Sequence, residues 1–257
     1  MEKSQNPKPQ LLNPKTMVTL ALIVAISFLV TATIRFIVPF PSAPFLQMDF
    51  KDTIIVIGGF IFGPLAAFIV TVVVAFVEMV TVDNTAHIGF LMNVISGTAF
   101  ACTASFIYSK KRTLTGAMIG LLAGTILMTI VMMLWNYILT PIFMNMPREF
   151  VATMIFPIIM PFNIFKAVVN SALILLLYKP IATALRSTGL MPKEKAAGKE
   201  KGKIFNPALV AISLFLLLSS TLWYMANNEI GPFRSEPAVV ENGYGDYEIN
   251  GYNGEEN

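Results

Sequence analysis

The sequence predicts an all-α integral membrane protein: six helices up to about residue 182 and an extra C-terminal transmembrane helix beyond them. Three observations carry that class. Of the 257 residues 55% are apolar and only 13% charged, whereas soluble domains carry about 25% charged residues. The apolar residues gather into runs long enough to cross a hydrocarbon core of roughly 30 Å, which takes about 20 residues of helix. Basic residues gather in short segments between those runs, as they do on the cytoplasmic side of membrane proteins.

The first run predicts a helix over about 17–38. It is too long for a signal-peptide core and ends without a small-residue cleavage signal, so it is read as retained. Residues 53–80 are apolar throughout, but as one helix they would exceed the thickness of a bilayer, and Gly63-Pro64 lies inside them. Charge decides between one crossing and a bent pair. A single crossing would put Lys110, Lys111 and Arg112 on the opposite side from Lys3, Lys8 and Lys15, against the positive-inside rule. A pair of short helices, about 52–62 and 64–81, places residues 1–16, 109–113 and 179–203 on the cytoplasmic side with 13 of the 18 basic residues. Neither short helix spans comfortably alone, so neighbours must shield both.

Further helices are expected at about 89–108, 114–139, 158–178 and 204–226. The organisation is then a cytoplasmic segment (1–16), a membrane domain (17–182), a basic cytoplasmic linker (183–203), the extra transmembrane helix (204–226) and an acidic tail (227–257). Trp223 and Tyr224 suit the far interface. The tail carries seven acidic residues and the Gly/Tyr/Asn-rich run YGDYEINGYNGEEN, too little apolar surface to fold. It is expected to be disordered and extracytoplasmic.

Function classes fall away by chemistry. Cys102 is the single cysteine, so no internal disulfide forms, and no CxxC or Cys/His cluster suggests a metal or redox site. The one histidine, His87, is expected in a polar loop, TVDNTAHIG, and HExxH, GxSxG and Walker A motifs are missing. A transporter, channel or binding component is expected, and no enzyme. Ionisable residues within spans are expensive and usually face a cavity, which singles out Glu78 and Lys166. Glu78 stands close to the outer end of its helix, where snorkelling or a structural ion pair is as good an account as function.

Lys166 has company. In PFNIFKAVVNS, Asn163, Lys166 and Asn170 follow an i, i+3, i+7 rhythm and share one helical face. Pro157 and Pro161 favour a helix start near residue 160, placing Asn163 in the first turn and Lys166 one turn deeper. Asn136 precedes Pro141 by about a turn, and Asn93 is about one turn into its helix, so Asn93, Asn136, Asn163 and Lys166 are expected at similar depth near the outer side. The structural alternative is that the amides join helices and the lysine snorkels; Asn170 is read that way.

At this point a resemblance becomes specific. FLQMDFKDTIIVIGGFIFGPLAAFIV, then the connector KKRTLTGA, then LWNYILTPIF and PFNIFKAVVNS occur in one order across about residues 14–182. Together they resemble the riboflavin-specific S components (RibU type) of energy-coupling factor (ECF) transporters. The resemblance implies a six-helix substrate-binding bundle that captures riboflavin near the outer surface beneath the loop after helix 1. It implies Asn136, Asn163 and Lys166 as pocket residues, and Met48, Asp49 and Phe50 as the covering loop. Asn93 joins them on the depth argument. Riboflavin is neutral, with a ring edge that alternates acceptors and a donor, and a carboxamide can match such an edge. Phe50 or Met48 would lie over the ring.

The resemblance also implies partners: a transmembrane coupling protein and two cytosolic ATPases, in a cell membrane, with riboflavin as the transported ligand, no cofactor and no nucleic acid. The family docks its coupling protein through small residues of helix 1, which here are Ala21 and Ala25; small residues four apart let another helix approach closely. The seventh helix and acidic tail depart from the family pattern. The runner-up is an ion-coupled secondary carrier for a small polar solute, using Glu78 and Lys166.

Overall fold

The computed structural model describes residues 11–35, 46, 48–81, 86–145, 147–187, 207–227, 239–241 and 247–249. The helices are α1 (Pro14–Arg35), α2 (Lys51–Phe62), α3 (Pro64–Thr81), α4 (Ala86–Gly97), α5 (Thr103–Lys110), α6 (Leu114–Met144), α7 (Arg148–Met154), α8 (Met160–Ser187) and α9 (Pro207–Asn227). Single π-helical turns, Thr98–Cys102 and Ile155–Ile159, join α4 to α5 and α7 to α8.

Among the described residues, five stretches are long and apolar enough to cross a membrane: Pro14–Thr33, Pro64–Thr81, His87–Lys110, Leu114–Met144 and Arg148–Ala184. Their outward surfaces are greasy; Leu22, Leu29, Phe76, Leu122, Ile130 and Leu134 are all exposed. An apolar surface of that extent suits lipid and would be an aggregation hazard in water.

The bent pair is present. Gly63 breaks the run with φ +98°, a backbone region that only glycine enters without strain, and Pro64 opens α3 with no N–H to satisfy. At 12 residues α2 is about 18 Å long, well short of a bilayer. Every residue of α2 except Ile54 is buried, because the helix packs against α1, α3, α5 and α8. The shielding expected of a short helix is therefore complete.

Close approach elsewhere rests on small residues. Gly116, Gly120 and Gly124 lie four apart along one face of α6, and α5 packs on that face. A Cβ at Gly120 would come within 2.7 Å of the Ala104 carbonyl oxygen, and one at Gly124 within 2.8 Å of that of Phe100. Thr113 caps the start of α6, its hydroxyl accepting from Gly116 N at 3.2 Å. At the far end of α5, Tyr108 stacks on Phe60 with centroids 4.2 Å apart, and the Tyr108 and Tyr178 hydroxyls are 2.7 Å apart.

Several expected boundaries move. Helix α6 continues through Pro141 to Met144 and ends on Asn145 in the left-handed conformation, so proline near a helix end does not stop it there. The start expected near residue 160 is where α8 begins, but helical backbone already runs from Arg148 through the π turn that holds Pro157. Asn163 is thus well inside a continuous helical stretch. His87 belongs to the first turn of α4 and is exposed, where a loop was expected. In the tail, Val239–Glu241 pairs antiparallel with Tyr247–Ile249, so these two strands (β1 and β2) take regular structure where composition suggested none. Residues 183–187 of the expected linker are helical, ending α8. The rest of the linker, the other tail residues and the side chains of Trp223 and Tyr224 lie outside the described residues.

The glycine face carries a test. Gly120→Val should push α5 off α6 and destabilise the fold by about 1–3 kcal/mol, read as a lower melting temperature in detergent, whereas substitution at lipid-facing Leu122 should leave melting unchanged.

Candidate functional site

The N-terminus of α2 is the organising point. Its N-cap residue is Phe50, which has no side-chain acceptor, leaving the first backbone N–H groups of the helix in need of partners. The missing cap comes from α8. Asn170 Oδ1 accepts from Thr53 N at 3.0 Å and from Thr53 Oγ1 at 2.7 Å, across 117 residues of sequence. The same carboxamide donates through Nδ2 to the Asp49 carbonyl at 3.2 Å and to the Lys166 carbonyl at 2.9 Å. Asn170 therefore joins α8, α2 and the loop before α2, as its reading as helix glue requires.

Around this cap lies a buried ion network. Lys166 Nζ is 2.9 Å from Asp49 Oδ2. Lys51 Nζ is 3.5 Å from the same Asp49 oxygen and 2.6 Å from Glu78 Oε2. Asn93 Nδ2 donates to Glu78 Oε2 at 3.2 Å. Asp49, Lys51 and Glu78 are each at most 2% exposed and Lys166 6%, so all four charges have left solvent and depend on one another. Glu78 does not snorkel; it is an interior ion-pair partner. Asp52 is also buried, and its Oδ1 makes no hydrogen bond among the described residues. It faces Gly97, whose missing side chain leaves room for it: a Cβ there would stand 3.4 Å from Asp52 Oδ1.

The two expected pocket amides behave differently. Asn136 Nδ2 donates to the Met132 carbonyl at 2.8 Å, and its Oδ1 accepts from Thr140 Oγ1 at 3.0 Å, both within α6. Asn163 Nδ2 donates to the Ile159 carbonyl at 2.8 Å. Each carboxamide has two N–H donors, so one on each is left after these bonds. Both side chains are buried, as is Met48, while Phe50 is half-buried. The structure thus brings Asp49, Lys166 and Asn93 into one network, through Lys51 and Glu78. The side chains of Asn136 and Asn163 instead bond within their own helical stretches.

Lys51, Asp52 and Thr53 are the residues that sequence reasoning did not single out. Their signal was present in MDFKD: two carboxylates flanking a lysine at the start of an apolar helix need buried partners once the helix is enclosed.

Comparison with known proteins fits this architecture. The sequence model of the family described as ECF transporter, substrate-specific component, matches residues 15–178. This chain belongs to that family. As an S component it serves transport and is not an enzyme. It is 34% identical over 178 residues to the riboflavin transporter RibU of Staphylococcus aureus (strain TCH60), covering 67% of this chain and 93% of the relative. It is 30% identical over 174 residues to the riboflavin transporter FmnP of Bacillus subtilis (strain 168), covering 64% of this chain and 90% of the relative. A solved structure of the S component of a bacterial ECF transporter superposes with TM-score 0.57 at 33% identity, covering 66% of this chain and 96% of that one. The S component fold and its place in a membrane, crossed several times, follow from these matches and from the apolar helices.

The Asn170 cap yields a prediction. Asn170→Ala removes the acceptor of Thr53 Oγ1 and the donor to the Asp49 carbonyl, and leaves Thr53 N with its 3.1 Å bond to the Phe50 carbonyl, so it should lower stability by about 1–3 kcal/mol. Thermal melting of the purified protein in detergent measures it; an unchanged melt would deny the cap its role.

Proposed function

We propose that this S component captures riboflavin at the outer face of the membrane and delivers it inward with a transmembrane coupling protein and two cytosolic ATPases. One observation carries the ligand: relatives named as riboflavin transporters align with this chain over 90% or more of their own length. The chemistry of the buried polar residues agrees with it. The remaining donors and carbonyls of Asn136 and Asn163 can pair with the alternating ring edge of a neutral flavin, while Met48 and Phe50 supply apolar cover and Asp49, Lys166 and Asn93 border the same region.

In this proposal α1 to α8 form the six-crossing S-component bundle. The crossings are α1, α2, α3, α4 with α5, α6, and α7 with α8; α9 is an added seventh crossing. The N-terminus and the segment around Lys110, Lys111 and Arg112 are cytoplasmic, and the tail is outside. Docking falls to α1, where Ala21 and Ala25 are exposed rather than used in internal packing, leaving a flat strip for another helix. An ion-coupled carrier is not favoured: its two candidate groups, Glu78 and Lys166, are each neutralised by a buried partner.

The ion network changes what a mutation can separate. Lys166→Met would take from Asp49 Oδ2 its nearer ammonium, at 2.9 Å, and so damage folding as well as binding. Asn163→Ala touches no charge and is the cleaner probe. It should weaken riboflavin binding by about 5- to 150-fold, read from quenching of riboflavin fluorescence, with little change in melting without ligand. Normal binding by folded Asn163→Ala would remove that residue from the site. A second expectation concerns docking: Ala25→Leu should leave riboflavin binding intact and reduce uptake in cells, and equal loss of both would refute a separate docking strip.

A further inference from the structure

A single oxygen, Asp49 Oδ2, serves two ammonium groups, at 2.9 Å from Lys166 and 3.5 Å from Lys51. Two lysines that share one acceptor compete for it, and in low-dielectric surroundings the competition is strong. The unequal distances show that Lys166 holds the larger share. Lys51 is drawn the other way by Glu78 Oε2 at 2.6 Å, and Asn93 Nδ2 steadies that oxygen from α4 at 3.2 Å.

Resting on the riboflavin reading above, we propose that Glu78 is a positioning residue for vitamin binding, acting on Lys166 through Lys51 and Asp49. Glu78 sits in α3, and its route to Lys166 runs through two intervening side chains. Its carboxylate holds the Lys51 ammonium back to 3.5 Å from Asp49 Oδ2, against 2.9 Å for Lys166. Asp49 Oδ2 thereby holds the Lys166 ammonium as its nearer partner at the loop before α2. Without the Glu78 charge, Lys51 turns to the acceptor it already touches, and Lys166 loses its orientation. The lysine of the binding face is thus aimed by a carboxylate that belongs to a different helix and takes no direct part in recognition.

The proposal makes opposite demands on single and paired substitutions. Glu78→Gln keeps shape and an acceptor oxygen but drops the charge, and riboflavin affinity should fall about tenfold, the size of coupling seen between contacting charged groups. Lys51→Met together with Glu78→Gln removes the competitor as well, so affinity should return to within about threefold of wild type. In an Asp49→Asn background the route is cut, and Glu78→Gln should weaken binding no further. A merely structural Glu78 would instead give an affinity loss that Lys51→Met does not repair and that adds to the Asp49→Asn loss.

The measurement is riboflavin-fluorescence quenching by each purified full-length variant in detergent, with melting curves to confirm folding. If Glu78→Gln does not fold, Glu78→Asp replaces it. That variant retains the charge but withdraws it by one methylene, and it should bind less tightly than wild type. Failure of wild type to quench would overturn the riboflavin assignment itself. Quenching by wild type with normal affinity in the folded Glu78 variant would overturn only the positioning role. So would a double variant as weak as Glu78→Gln, or additive losses with Asp49→Asn.

Discussion

A charge withdrawn from water must find an opposite charge, and much of this bundle is arranged around meeting that condition at Asp49. Two ammoniums meet at its Oδ2 and a carboxamide holds its carbonyl. Through those contacts the loop before α2 is fixed to α8, and through Lys51 to α3 and α4. An isolated buried ion is so unfavourable that no member can leave alone. The network therefore ties helices distant in sequence into one geometry, and it includes three of the residues expected at the binding site, Asp49, Lys166 and Asn93.

Helix α2 shows how the network and the packing depend on each other. A 12-residue helix cannot cross a bilayer unaided, and its apolar N-cap leaves amides exposed to hydrocarbon unless another element supplies an acceptor. Burial on all sides solves the first problem and Asn170 the second. That burial in turn removes Lys51 and Asp52 from solvent, which is why Glu78 has to be where it is. The glycine face of α6 lets α5 come close enough to complete the wall around α2.

Much of this was legible in the sequence, and the reasons are specific. The Gly63-Pro64 break could be read because both residues have strong backbone preferences and because a bent pair was the reading that gathered the basic segments on one side. The shared face of Asn163, Lys166 and Asn170 followed from helical spacing. What spacing cannot give is pairing between helices. Asn163, Lys166 and Asn170 look alike along one turn, yet Asn163 bonds its own helix, Lys166 an acid and Asn170 a helix N-terminus. Glu78 and Lys51 lie 27 residues apart, and only the fold of α2 back along α3 brings them together. Proline also misled in detail: Pro141 sits inside α6, and Pro157 sits in a π turn that continues the helical backbone.

The π turn at Thr98–Cys102 bears on more than local geometry. Each residue of an α-helix advances the direction of its side chain by about 100°, and a π turn takes in one extra residue before the α-helix resumes. The rod from Ala86 to Lys110 is thus two lengths of screw with separately set threads. One thread brings Asn93 to Glu78 and the other brings Tyr108 to Phe60 and Tyr178. The extra residue thus sets the phase between the polar cluster and the aromatic group, and deleting one residue from this turn would swing Tyr108 by about 100° away from Phe60 and Tyr178.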